Sequence, residues 1–401
     1  PTGEYGPRPF DEIDAPAIDV PSGGTQLTDW NQLHAGGTFW LAGDIDGPRG
    51  SRWVGRSLSL RGDPANRPVI RNVGEKGQRL YFPTGGKHVY ANLILDGFMK
   101  EPVDGWWGPI DGAAAGSEQG WNADLNFLNV TVRNGKSTGI RTGDGPTTVV
   151  DCSIEDQQFG FGGSGRGHRF YRNRSIGVNY RNGWHDGNKW GGLKASHIVG
   201  LIVRDCLGNG FWNDVQFEDN LFADLDIEDT GGPGIHLEWS NIGSSLTTRF
   251  RVRHAGQAHI GRGASAELEQ RQQGASLALH NVKNQEVSFG TVYAHPHYGA
   301  GVFFWEDRRP GWEQFRTTGN YVHDLKVIVD AQSESDLDTR ERGWLIGFYD
   351  GAAIADNRIE RVELTVPKGT LQFPYCRLPG VGDCTIARFR EAFPGVSVVE
   401  A

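Results

Sequence analysis

Apolar residues along this chain fall in short alternating runs broken by Gly, Asn and Asp, and no long stretch carries the spacing of an amphipathic helix. Such runs predict many short strands. They also recur. Val132-Arg133-Asn134, Ile154-Glu155-Asp156, Ile176-Gly177-Val178, Val203-Arg204-Asp205, Ile227-Glu228-Asp229 and Val252-Arg253-His254 read as copies of one strand end, with first residues 22, 22, 27, 24 and 25 apart. A second row follows the corners: GGLKAS (Gly191 to Ser196), NGFWND (Asn209 to Asp214), GPGIHLEWS (Gly232 to Ser240), GASLALH (Gly274 to His280) and GAGVFFWE (Gly299 to Glu306). Two rows sharing a period of twenty-odd residues predict an all-β solenoid of the parallel β-helix type.

Residues 38–100 start this solenoid, 124–308 form its regular middle, and 320–370 add wider coils. The predicted organisation is an N-terminal cap or arm over 1–37, a β-helix over 38–370 and a C-terminal cap over 371–401, since open solenoid ends expose unpaired strand edges. Glycine, at 58 of 401 residues, is about twice its ordinary usage. It follows no triplet repeat, and aromatics are abundant, so collagen-like and disordered chains are excluded. No Pro/Ser-rich linker or charge block interrupts the chain, which reads as one long domain.

The run from Gly191 to Ser240 resembles bacterial right-handed parallel β-helix proteins, many of them polysaccharide lyases or glycoside hydrolases. SLSLRGDPANRPVIRN (Ser57 to Asn72) is similar to the first coils of such enzymes. The resemblance, over residues 38–330, implies a right-handed single-stranded parallel β-helix with capped ends. It leaves the chemistry open, because one scaffold carries many activities. No pectate-lyase or polygalacturonase signature fixes a substrate.

Strand alternation assigns faces. Counting from the opening glycines, Leu193, Ala195, Phe211, Asn213, Ile235, Leu237, Val302 and Phe304 face the core. Lys194, Ser196, Trp212, Asp214, His236, Glu238, Phe303 and Trp305 face outward onto the wet surface, and His280 joins them when Leu277 is aligned with Ile235. Asp214 and Glu238 then sit side by side on coils ~4.8 Å apart. Two carboxyls that close do not both ionise cheaply, so one is expected to hold a proton, as acid/base catalysis requires, unless a cation lies between them. Lys194 and His236 complete the catalytic candidates. Trp212, Trp239, Trp305, His280, His185, Asp186 and Arg141 are the substrate-binding candidates: tryptophans stack on sugar rings, and the loop NGWHDGNKW (Asn182 to Trp190) reaches over the same face. The competing reading is a solvated ion-pair ladder, against which a cluster of exposed tryptophans counts.

The net charge of −9, with 31 of 40 basic residues arginine, argues against a nucleic-acid partner. No apolar run reaches the ~20 residues of a membrane span. Cys152 and Cys206 read as buried thiols, whereas Cys376 and Cys384 could close a small loop. No metal is assigned, although calcium between Asp214 and Glu238, or near Asp219 and Asn220, stays open. The function expected is polysaccharide cleavage, with glycoside hydrolysis by the carboxylate pair ahead of β-elimination by Lys194 or His236. Retaining or inverting stereochemistry is left open. An extracellular location is expected. The alternative is a virion tail-type glycan-binding protein, favoured by Pro1 and the absent signal segment; the chain would be a homotrimer in that case and otherwise a monomer.

Overall fold

The computed structural model describes residues 5–49, 52–54, 56–74, 80–83, 85–98, 123–135, 138–178, 187–256, 274–294, 299–307, 310–311, 313–329, 344–350, 352 and 356–401. The chain forms two compact units. One comprises Phe10–Arg181 with Asp186–Ile202; the other comprises Val203–Ala401 with Pro1–Pro9 and Asn182–His185.

In the first unit, strands pair in parallel with the strand one coil later. Phe39, Leu60, Tyr90, Phe127, Val149 and Phe170 stand in one register row. All six are buried, so the row is an inward-facing stack of the kind alternation predicts. A second wall is built by Thr138–Arg141, Phe159–Arg166 and Gly187–Lys194, again in parallel.

The second unit repeats the plan. Ile227, Val252, Val292, Val327, Leu364 and Val398 form one row. Phe211, Ile235, Leu277, Val302, Ile346 and Cys376 form the facing one, and every member of this second row is fully buried. Burying each large aliphatic or aromatic side chain contributes roughly 1.5–3 kcal/mol, so stacked rows supply most of the stability.

The opening glycines have a physical cause. A Cβ at Gly210, Gly234 or Gly301 would lie 2.5 Å from Ile227 Cγ2, 2.2 Å from Val252 Cγ1 or 2.4 Å from Val327 Cγ1. The β-branched residues of one row therefore pack onto the glycines of the other, which is why both rows share a period.

The corners are left-handed. Asn134, Asp156, Asp205, Asp229 and His254, the last residues of five of the six triplets, have φ between 48° and 59°. Asn and Asp tolerate this region better than other side chains. The sixth triplet is corrected: Glu155 pairs with Ile176, and Gly177 takes the left-handed turn, so the true copy is Ser175-Ile176-Gly177. Cys152 and Cys206 are buried, as expected. Cys376 and Cys384 stand opposite each other in an antiparallel hairpin as free thiols. The C-terminal helix Ile386–Ala392, N-capped by Thr385, lays Phe389 and Phe393 against Phe348.

Candidate functional site

Five strands of the second unit, Asn209–Asp214, Ile235–Ser240, Leu277–Val282, Ala300–Glu306 and Trp344–Asp350, carry the candidate site. Trp212 pairs with His236, and Asn213 with Leu237. Val215 N–H donates to Glu238 O at 3.1 Å, extending that register by one step. Asp214 therefore lies on the rung beside Glu238, as the alternation predicts. Glu238, His280, Trp305 and Tyr349 continue the row.

The rings form a continuous stack. Trp212 and His236 lie 5.6 Å apart at 12°, His236 and His280 5.6 Å apart at 8°, and His280 and Trp305 3.4 Å apart at 21°. Glu238 sits within this stack. Trp212 Nε1–H donates to its Oε2 at 2.9 Å, His280 Nδ1 lies 2.9 Å from its Oε1, and His236 Nε2 lies 3.9 Å from its Oε2.

Alternation alone would turn Trp239 away from Glu238. Its φ of 50° breaks the alternation there, and the indole packs edge-on against His280. Ala195, Val215 and Asn281 hold the same left-handed turn after Lys194, Asp214 and His280, at φ 47°, 49° and 50°. For β-branched Val215 this is a strained conformation. Trp239 Nε1–H donates to His280 Nε2 at 3.3 Å. That bond uses the Nε2 lone pair, so the proton of a neutral His280 ring resides on Nδ1, the ring nitrogen nearer Glu238.

The predicted exposure needs correction. Trp212, His236, Glu238 and His280 are 5, 6, 8 and 1% exposed, and Ser196 and Phe303 are fully buried. Trp239, Trp305, Tyr349 and Asp214 are half-buried. The outward face carries its own apolar cluster of Ala275, Ala278, Ala300, Phe303 and Trp344, with Trp305 and Tyr349 packed on it. Large rings on consecutive rungs shield one another and the groups between them, so outward orientation does not bring exposure. Lys194 and Arg141 are half-buried in the first unit, in register with Arg166 and Gly162 respectively. His185 and Asp186 lie outside the described residues. Tyr349 was not singled out from the sequence, although WLIGFYD repeats the apolar alternation of GVFFWE.

His236, Glu238 and His280 are, among the described residues, the one set of three potential metal ligands within 4.8 Å of one another. Two imidazoles and a carboxylate suit zinc by donor type. The hydrogen-bond polarity does not: with Nε2 engaged by Trp239, the His280 nitrogen nearest Glu238 carries a proton in place of the lone pair a metal needs.

No family model matches the chain, and no curated protein matches it in sequence. Among solved structures it is similar to the catalytic domain of an α-1,3-glucanase of glycoside hydrolase family 87 in complex with nigerose. The TM-score is 0.50 at 11% identity, over 97% of this chain and 70% of that one. The chain is a parallel β-helix. At that identity the likeness is one of fold. The β-helix is also similar to the Dettilon tailspike protein (TM-score 0.36, 10% identity, 85% of this chain and 63% of that one). A further neighbour is the A-module of a mannuronan C-5 epimerase from Azotobacter vinelandii (TM-score 0.33, 13% identity, 82% and 80%). No helix among the described residues is long and apolar enough to cross a membrane.

Proposed function

We propose that this β-helix is a carbohydrate-active enzyme that hydrolyses a polysaccharide, with Glu238 and Asp214 as its paired carboxylates. The observation that carries the reading is the grip on Glu238: a carboxylate held by Trp212 and His280, on the rung beside half-exposed Asp214, in a wall of indoles. Fold alone would not support it, because one scaffold hosts many chemistries.

The N–H that Trp212 donates to Glu238, with the His280 ring beside its other oxygen, favours negative charge there, which suits a nucleophile. Asp214, wetter and in register, is the proton donor. Neighbouring rungs ~4.8 Å apart suit the retaining course, for which carboxyls ~5–5.5 Å apart are needed. In the first step Glu238 attacks the anomeric carbon while Asp214 protonates the departing glycosidic oxygen. In the second, Asp214 takes a proton from water, which attacks the same carbon and releases Glu238. Trp239 and His280 act as positioning residues that fix the carboxylate. Trp305 and Trp239 offer partly exposed ring surface for sugar stacking. No metal takes part in this scheme.

The test is digestion of a polysaccharide panel, following reducing ends, ultraviolet absorbance and the anomer first released by proton NMR. Hydrolysis with retention predicts new reducing ends of unchanged anomeric configuration and no absorbance change. Absorbance rising with chain cleavage marks the conjugated double bond that only elimination leaves, and would overturn the hydrolytic reading in favour of a lyase using His236 or Lys194.

A further inference from the structure

A recess lies at the coil corner that follows the site strands, entirely within the second unit. Its volume is about 360 Å³, and Asp219, Asn220, Ser245, Gln285, Glu286 and Tyr321 line it. Four successive coils meet there. Asp219 N–H donates to Ser244 O, Leu246 N–H to Asn220 O, Glu286 N–H to Ser245 O and Tyr321 N–H to Gln285 O, at 2.7 to 3.0 Å. The walls are therefore backbone-fixed.

Two side chains are locked in place. Gln285 is 1% exposed, and its Nε2 donates to Lys283 O at 2.7 Å. Its Oε1 is buried and accepts no hydrogen bond from the described residues. The locked Gln285 amide thus forms part of the rigid floor beneath the recess. Tyr321 is held by its O–H bond to Glu360 at 2.9 Å and by stacking on His323 at 4.1 Å.

We infer that this recess is a subsite for one uncharged sugar ring of the polysaccharide. The inference rests on the glycan reading of the Glu238 site. The volume falls at the small end of ligand pockets. The lining offers acceptors in Asp219 and Glu286, and donor–acceptor groups in Asn220 and Ser245; it contains no Lys or Arg. Sugar hydroxyls donate to such acceptors, whereas uronates, sulfates and phosphates are repelled by the two carboxylates. The competing occupant is a cation held by the Asp219 and Glu286 carboxylates with amide and hydroxyl oxygens of the lining, and Ca²⁺ is therefore titrated beside the sugars. Asp219 is five residues beyond Asp214, which bounds the separation of their Cα atoms at roughly 18 Å. One bound chain can therefore reach both places.

The experiment titrates the methyl glycosides of glucose, galactose and mannose, with methyl glucuronoside as the charged counterpart, by saturation-transfer NMR. Wild type, Glu238→Gln, Ser244→Ala and Ser244→Trp are compared, with thermal midpoints recorded; Ser244 is an exposed lining residue, so tryptophan fills the recess without breaking a buried group. At least one neutral glycoside should bind wild type, Glu238→Gln and Ser244→Ala within twofold, bind Ser244→Trp at least tenfold more weakly, and bind far better than the glucuronoside. Absence of neutral-sugar binding, binding indifferent to Ser244→Trp, or equal binding of the glucuronoside would overturn the subsite. So would saturable Ca²⁺ binding that Ser244→Trp abolishes. Loss of binding in Glu238→Gln alone would place the sugar at the Glu238 site and overturn only the subsite. Full hydrolysis by Glu238→Gln, with binding lost in Ser244→Trp, would overturn only the assignment of Glu238 as nucleophile.

Discussion

Glu238 shows how a single side chain is prepared by its neighbours. Its carboxylate is crowded by Trp212, His280 and His236 from three rungs, and Trp239 in turn fixes the His280 ring. Trp212→Phe keeps a ring in the stack but deletes the N–H on Oε2. It should cost about 1–3 kcal/mol in stability and lower kcat about tenfold with KM nearly unchanged, as steady-state kinetics would show. A fall in KM-dependent binding alone would mean that the indole serves only the substrate. Asp224 illustrates the structural use of a carboxylate. Burial works to raise its pKa, but hydrogen bonds from Arg8 and Arg249 outweigh burial and hold it below the usual carboxylate range. Arg361, against a smaller burial penalty and with help from His323, likewise brings Asp324 down to about 2. A depressed folded pKa adds stability above the unfolded value of ~3.9, and that stability is lost as pH falls through the folded value. Asp224→Asn, which tolerates the left-handed φ of 55°, should lose about 1–3 kcal/mol at pH 7. Denaturant titrations should show its gap from wild type closing as pH falls from about 4 to 2; a gap independent of pH would contradict the ion-pair role.

At the scale of the strand, the sequence carries orientation well and exposure badly. Period-two alternation places Trp212, Asp214, His236, Glu238, His280 and Trp305 on one face because a pleated strand allows nothing else. It does not say what covers that face, and here the rings cover one another. Corners limit legibility as well. The left-handed φ at Trp239 is not marked by Gly, Asn or Asp, so the break in alternation is invisible to composition. Gly177 takes the turn that Asp156 takes one coil earlier, and aligning triplets on their apolar first residue therefore slips by one. The opening glycines are the opposite case, since their spacing records a contact. Gly234→Ala would force Val252 Cγ1 and Ser276 O away from distances of 2.2 and 2.8 Å. It should destabilise the fold by about 1–3 kcal/mol in chemical denaturation, and a neutral result would mean that the rows are not packed this tightly.

For the whole molecule, charge and site chemistry point the same way. A chain of net charge −9, with carboxylates at its candidate site, suits an uncharged polysaccharide, and cleavage of such a substrate should depend little on ionic strength. If the His236–Glu238–His280 cluster works through hydrogen bonds, exhaustive EDTA dialysis should leave the rate within twofold of wild type; loss restored by zinc would reassign the cluster as a metal centre. The most direct measurement compares reducing-end release by wild type, Glu238→Gln and Asp214→Asn on the cleaved polysaccharide, with thermal midpoints taken in parallel. Each variant should lose about 10²–10⁴-fold in kcat while its midpoint stays within a few degrees of wild type. Near-wild-type turnover by either variant, with or without a loss of stability, would contradict the paired-carboxylate mechanism.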